Sequence, residues 1–409
     1  MRVAFVDLMF SWPPHGGADV DVFHVATGLR ERGHEVMLFG ARSGRTWERG
    51  DFDPDSLPFP ARHLEFPQGL RGWKAVVDAF RETVTEWRPD VVHVGDSFFL
   101  KPYLLECFRD LPLLARLYAN ELICQKDMLR YRAGAPCAQD FLNTPDVCRA
   151  CGLEHQRGAI ASGAGLAWTE EYLAAEAYQP SYWQRTKASL GLANALIVYN
   201  EEMAGLLRPF AREVRVVPGG VDIRRFSVVS QPPPPRSRKV ILMAGRGEDP
   251  VKGVGTLIEA GRRLAETRND FEIHITAPGE GEAEAWLKWL PWCNQEALAR
   301  RYHDAAFCVV PSVWNEPFGM VALEAMACGK PVVVSDVGGL RDTIEPGVSG
   351  MRVPPGDAAA LAAAIASLLE DEALAQRMAA AARQRVEEHF DWRVVVERHY
   401  VPLLESLGD

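Results

Sequence analysis

NEPFGMVALEAMACGKPVVV, residues 315–334, sets the reading of the whole chain. An apolar stretch, VALEAMA, runs into a Gly-Lys-Pro break and then into a β-branched run. That pattern is a helix feeding a buried strand, the repeating unit of a parallel sheet covered by helices. The Pro-Phe-Gly turn ahead of the helix predicts a loop that opens a helix N-terminus. There the backbone N–H groups of Phe318, Gly319 and Met320 are unpaired and aligned with the helix dipole, an arrangement that takes an anion. Glu316 and Glu324 flank the turn with seven residues between them. Glu316 falls in the loop, facing whatever is bound. Glu324 lies two turns on and needs a polar partner, because a carboxylate among apolar residues is costly unless paired. A diphosphate with a sugar at each end suits both acids, one for hexose hydroxyls and one for a ribose.

Upstream, AGRGEDPVKGVGTLIEA (residues 244–260) places Arg246 just past a strand and Lys252 just before a helix. Arg grips a phosphate with two donors, and Lys supplies a mobile point charge. Both sit at the carboxyl end of a strand, where open α/β sheets bind ligands. The front of the chain repeats the plan: a strand over 3–6, a loop ending in Gly16 and Gly17, a helix from about 18 to 32, and a strand over 35–39. This β-loop-α-β order signals an α/β chain with a parallel, doubly wound sheet. The adjacent glycines let backbone approach a ligand closely. Asp19 and Asp21, in the run DVD, do not read as a metal pair, since alternate residues of a helix point to different sides.

Further strands are expected at 91–94, 113–117, 195–199 and 214–217, then a proline tract at 232–235 that reads as a semi-rigid linker. A second β/α series follows, with strands at 240–244, 271–276, 306–310 and 331–335 and a helix over 255–265. Residues 357–388 read as helical, and FDWRVVVERHYVPLLESL as a last amphipathic helix. The tryptophans of AWLKWLPWC read as helix-face packing. At 409 residues the chain exceeds one ordinary core, so two domains are expected. A net charge of −10 argues against nucleic acid as the main partner. The first residues read as a strand and not a signal peptide, and no apolar run reaches membrane-spanning length. A cytoplasmic protein is expected, with peripheral contact at the inner membrane face left open and the oligomeric state unknown.

The combination of GG after the first strand, VPGGVD, GR…KG, EPFG…E and GKPVVVSDVGG resembles family 4 retaining glycosyltransferases of the GT-B type. The resemblance implies two Rossmann-like doubly wound parallel-sheet domains facing a cleft. The acceptor-side domain would take residues 1–222 plus a returning helix at 391–409. A linker at 223–235 and a nucleotide-sugar domain at 236–390 complete the plan. It further implies that Arg246 and Lys252 hold the diphosphate, that Glu316 binds the donor hexose and Glu324 the ribose. Phe318, Gly319 and Met320 would lend backbone donors, and Gly16 and Gly17 would approach from the N-terminal domain. No catalytic metal is then expected, since fixed cations stabilise the leaving group. One departure stands out. Family members commonly read DVVH-x-H where residues 90–96 read DVVHVGD, so Gly95 holds the second histidine's place and His93 and Asp96 are the nearest substitutes.

Cys124, Cys137, Cys148 and Cys151 fall in an insert over 118–156 with the spacing C-x12-C-x10-C-x2-C. A Cys-x-x-Cys turn can present two thiolates to one ion, so structural zinc is one reading; disulfides, free thiols and an iron–sulfur cluster are the others. The expected activity is metal-independent, retaining transfer of a hexose-type sugar from a nucleoside-diphosphate sugar, UDP before GDP. The acceptor would be a glycan, a lipid-linked sugar or a small molecule. A nucleotide-sugar epimerase and a non-catalytic nucleotide-sugar binder are the competing readings.

Overall fold

The chain is described by a computed structural model over residues 1–44, 50–163, 166–229, 237–278 and 284–408. It divides into two units. The first comprises Met1–Arg130, Cys137–Pro218 and Val396–Asp409; the second comprises Tyr131–Pro136 and Gly219–Val395.

In the first unit the strands are β1 (Arg2–Asp7), β2 (Glu35–Ser43), β3 (Ala61–Phe66), β4 (Val91–Val94) and β5 (Leu113–Arg116). A short hairpin, β6 (Tyr131–Arg132) with β7 (Ala135–Pro136), interrupts the series before β8 (Ala195–Val198) and β9 (Val214–Val216). Seven strands pair in parallel in the order β3-β2-β1-β4-β5-β8-β9. Val3 stands opposite Val36 on one side and Val91 on the other. The central strands read VVHV, LLAR and ALIV without alternation and are buried throughout, because helices cover both faces. The strand order reverses between β1 and β4, so their carboxyl ends bound the crevice of this sheet.

The second unit repeats the design with β10 (Lys239–Met243), β11 (Phe271–Ile275), β12 (Leu287–Trp289), β13 (Phe307–Val310), β14 (Val332–Ser335) and β15 (Met351–Val353). These six are parallel in the order β12-β11-β10-β13-β14-β15, and here the order reverses between β10 and β13. Its core gathers Ile241, Ile273, Phe307 and Val333 from the strands with Leu257, Ile365 and Met378 from the helices.

Several local expectations change. The segment holding Trp286, Trp289 and Trp292 forms an edge strand instead of a helix; Trp286 is buried and Trp292 exposed. The Ala- and Leu-rich stretch is two helices, Ala358–Glu370 and Glu372–His389. Asp371 closes the first and caps the second, its carboxylate accepting from Leu374 N at 2.8 Å. The last helix is wound as a π-helix over Val396–Tyr400, ahead of Pro402, which cannot donate to a regular ladder. The proline tract at 232–235 lies outside the described residues. Among the described residues no helix is long and apolar enough to cross a membrane.

Candidate active site

The loops after β10 and β13 flank the reversal point of the second sheet and carry most of the expected donor residues. The first loop ends in a single turn, Pro250–Lys252, which Asp249 closes by accepting from Val251 N at 3.2 Å. Gly253 follows with φ +78°, and a Cβ there would stand 1.9 Å from the Pro311 carbonyl oxygen. Only glycine tolerates both that backbone and that approach. Val313 N then donates to Val251 O at 2.9 Å, so the two loops are locked together.

The lock delivers Lys252 to Glu316. Its Nζ donates to Glu316 Oε1 at 2.5 Å and lies 5.1 Å over the Trp314 ring. Ser312 Oγ donates to the same carboxylate oxygen at 2.8 Å. Burial alone would push the Glu316 carboxyl up, but the Lys252 ammonium and the Ser312 hydroxyl outweigh it and hold it below the usual carboxylate range. Gly339 N, from the loop after β14, donates to Glu316 O at 2.7 Å and fixes the backbone of the acid as well. Arg246 is exposed, and among the described residues its guanidinium pairs with no carboxylate.

Helix Met320–Ala327 starts at Gly319, whose φ is +117°. A side chain there would strike Leu340, 2.4 Å from the Cβ position. Phe318 turns its ring inward against Phe390, with centroids 5.9 Å apart, leaving its backbone at the helix entrance. On the same helix Glu324 is buried, and its Oε2 accepts from the Tyr302 hydroxyl at 2.9 Å. Burial pushes this carboxyl up to about 7, against the weaker opposing pull of Tyr302 and Arg225. Ser312 and Tyr302 escaped the sequence reading. Ser312 sits at a strand end four residues before Glu316 and could have been sought there; Tyr302 carries no mark in its own helix.

The remaining candidates belong to the first unit. Gly16 precedes helix Gly17–Glu31, and both glycines are exposed. Asp19 accepts from the backbone N–H groups of Ser11, His15 and Gly16 at 2.9, 2.9 and 3.0 Å, so it shapes the loop after β1. Asp21 instead meets Arg116 Nη2 and the Tyr199 hydroxyl, each at 3.1 Å. His93 is a correction. It is 2% exposed on an interior strand, packed against Phe5 and Tyr400, and burial pushes its imidazole down to about 3. A neutral ring sealed in a core does not reach a substrate. Asp96 lies just past β4, partly exposed, at the crevice of that sheet.

The four cysteines lie in the insert, Cys148 and Cys151 on its helix. Cys124 and Cys137 come near enough to act on Cys148, whose thiol burial pushes up to about 11. Yet among the described residues no three His, Cys, Asp or Glu side chains are placed to hold a metal ion. Cys148 and Cys151 sit three residues apart on one face of helix Pro145–Ser162. All four are free thiols.

Two family models match this architecture. One, described as glycosyl transferase 4-like domain, covers residues 16–220, and the other, glycosyl transferases group 1, covers residues 228–385. A glycogen synthase of Mycobacterium tuberculosis is 28% identical across 95% of this chain and 92% of its own length. Sucrose-phosphate synthase from Thermosynechococcus elongatus superposes over 100% of this chain and 99% of its own with a TM-score of 0.72 at 22% identity. Anabaena HepE, solved with UDP and glucose, gives 0.65 at 18% identity with both chains fully covered. The chain thus belongs to the glycosyltransferase 4-like family and is a glycosyltransferase of the GT-B fold.

Proposed function

We propose that this glycosyltransferase moves a hexose-type sugar from a nucleoside-diphosphate sugar to an acceptor hydroxyl on a glycan, a lipid-linked sugar or a small molecule, with retention and without a catalytic metal. The observation that carries the reading is the Lys252–Glu316 contact of 2.5 Å beside a helix opened by Gly319. A cation, a buried acid and a set of helix N–H donors stand on adjoining loops. Lys252 and Arg246 would bind the diphosphate and neutralise charge as it leaves, with the N–H groups of Phe318, Gly319 and Met320 sharing that load. Glu316, kept ionised, would accept hexose hydroxyls. Glu324 would accept from the ribose, with Tyr302 holding its carboxyl in position.

In the transfer, the acceptor oxygen bonds to the anomeric carbon as the bond from that carbon to the phosphate oxygen breaks. Attack from the same face lets the departing phosphate oxygen take the acceptor proton. UDP comes before GDP on the strength of the HepE complexes with UDP and UDP-glucose, which speak for that protein and make UDP-glucose the first donor to try.

Thermal shift against UDP-, GDP-, ADP- and dTDP-sugars, followed by product analysis with labelled donors, tests the reading. UDP-sugar should raise the melting temperature and yield a transferred sugar. Lys252→Ala and Glu316→Ala should each lower turnover by about a hundredfold or more while melting as cooperatively as the parent. Unchanged turnover in both variants would sink the mechanism. An epimerised donor as the product would favour the epimerase, and binding without any product the non-catalytic binder.

A further inference from the structure

Strands β1 and β4 end side by side at the reversal point of the first sheet; β1 ends on Asp7, and Asp96 lies two residues past the end of β4. Asp7 is 1% exposed; its Oδ1 accepts from Met9 N at 3.0 Å and its Oδ2 from Asp96 N at 2.7 Å. A Cβ on residue 95 would stand 2.3 Å from that same Oδ2. The Asp7 carboxyl therefore fills the volume that a side chain at 95 would take, and Gly95 is required for it to be there. Asp96 is partly exposed as a residue, but its Oδ1 is buried and has no hydrogen-bond partner among the described residues. The Tyr118 hydroxyl, just past the end of β5, is likewise without a partner although the residue is only 7% exposed, and it lies within electrostatic reach of Asp7. Buried polar atoms are seldom left this way unless something is to meet them.

The surroundings select against negative charge. Lys101, the cation acting on both aspartates, is committed: its Nζ donates to Arg116 O at 2.6 Å and to Glu121 Oε1 at 3.0 Å. Arg116 gives its two Nη groups to Asp21 and to the Val198 and Val217 carbonyls. Burial already pushes the Asp7 carboxyl up to about 7 and raises Asp96 too, and each carboxyl raises the other. A phosphate here would meet two crowded carboxyls and, among the described residues that act on both of them, a cation already paired.

We infer that Asp96, Tyr118 and Asp7 bind an uncharged, hydroxyl-rich end of the acceptor, a neutral sugar or polyol, and discriminate against its phosphate esters. The inference rests on the transferase reading above and adds the acceptor class. The hydroxyls of a sugar can donate to Asp96 and accept from Tyr118, satisfying both orphaned atoms; a fully ionised phosphate has no proton to donate.

The test pairs neutral acceptors with their own phosphate esters, such as glucose with glucose 6-phosphate and myo-inositol with its monophosphate, using the full chain and labelled UDP-glucose. A neutral member should be used with a kcat/KM at least tenfold above that of its ester. Asp96→Asn and Tyr118→Phe should each lower acceptor kcat/KM about tenfold while the thermal shift with UDP stays as in the parent. Preference for the ester, a panel in which no neutral member accepts, or acceptor kinetics unmoved by both variants overturns the inference. A parent protein that gives no shift with any nucleotide sugar fails at the earlier step, the donor reading.

Discussion

Glu316 and Glu324 share one loop-helix segment and comparable burial, yet their surroundings drive them apart. Glu316 has Lys252 and Ser312 on one oxygen and stays ionised; Glu324 has a single phenol and sits near neutrality in its titration. The carboxyl of Glu324 is thus a stability cost once it ionises. Its folded pKa of about 7 lies above the ordinary 4.5, so between those values the folded chain holds a proton the unfolded chain has released. Stability from this group is greatest below that window and is lost as pH rises through about 7. Glu324→Gln removes the penalty. At pH 8 the variant should be more stable by about 1 to 3 kcal/mol, and the difference should vanish towards pH 5. Under the proposed ribose contact, UDP affinity should fall by about tenfold. Melting curves across pH that run parallel for the two proteins would remove this account. That Lys252 and Glu316 lie on neighbouring loops was legible in the sequence, but their direct contact was not; nor was Tyr302, because a buried phenol in a helix looks like any aromatic core residue.

At the scale of elements, glycine positions separate packing from propensity. In helix Val254–Ala265, Gly261 lies under Trp286, and a Cβ would come within 2.3 Å of that ring. Alanine improves helix propensity by about 1 kcal/mol, but displacing a buried indole that also packs on Phe271 costs more. Gly261→Ala should therefore lower stability by about 1 to 2 kcal/mol in denaturant titrations. Gly158, within the exposed part of helix Pro145–Ser162, has nothing within 4 Å of its Cβ position, and Gly158→Ala should raise stability by about 0.5 to 1 kcal/mol. Equal and same-signed shifts would show that close approach is not what holds Gly261. The same contrast explains which elements could be read in advance. Strands such as VAFV, VVHV and ALIV are apolar on both faces and declare themselves. Edge strands β3, β12 and β15 are half polar, short or tryptophan-rich, and depend on a neighbour already in place. The break at Asp371 shows a single cap dividing an otherwise uniform helical stretch.

On the scale of the molecule, the chain completes its first sheet unit only with its last residues. After the whole of Gly219–Val395 has been built into the second unit, Val396–Asp409 belongs to the first. Val396 packs on Gly28 so closely that a Cβ there would lie 2.9 Å away, and Arg32 Nε donates to Glu397 Oε2 at 2.6 Å. Tyr400 is buried beside His93 and near the Arg116–Asp21 pair, and Leu403 and Leu404 are buried too. Sequence pattern marked this segment as an amphipathic helix, but periodicity alone cannot say which core receives its apolar face; only the resemblance pointed to the N-terminal domain. Four large apolar side chains withdrawn from water contribute roughly 1.5 to 3 kcal/mol each, which together rivals the whole stability of a domain. A chain ending at Val395 should therefore lose the first unit's tight packing. Limited proteolysis should cut within residues 1–218 well before the parent is cut, and a hydrophobic dye should bind. Tyr400→Phe, which keeps the ring and removes only the hydroxyl, should stay close to the parent, separating lost apolar packing from lost polar contact. A truncated chain with parental melting temperature and protease resistance would show that the first unit stands without its returning segment.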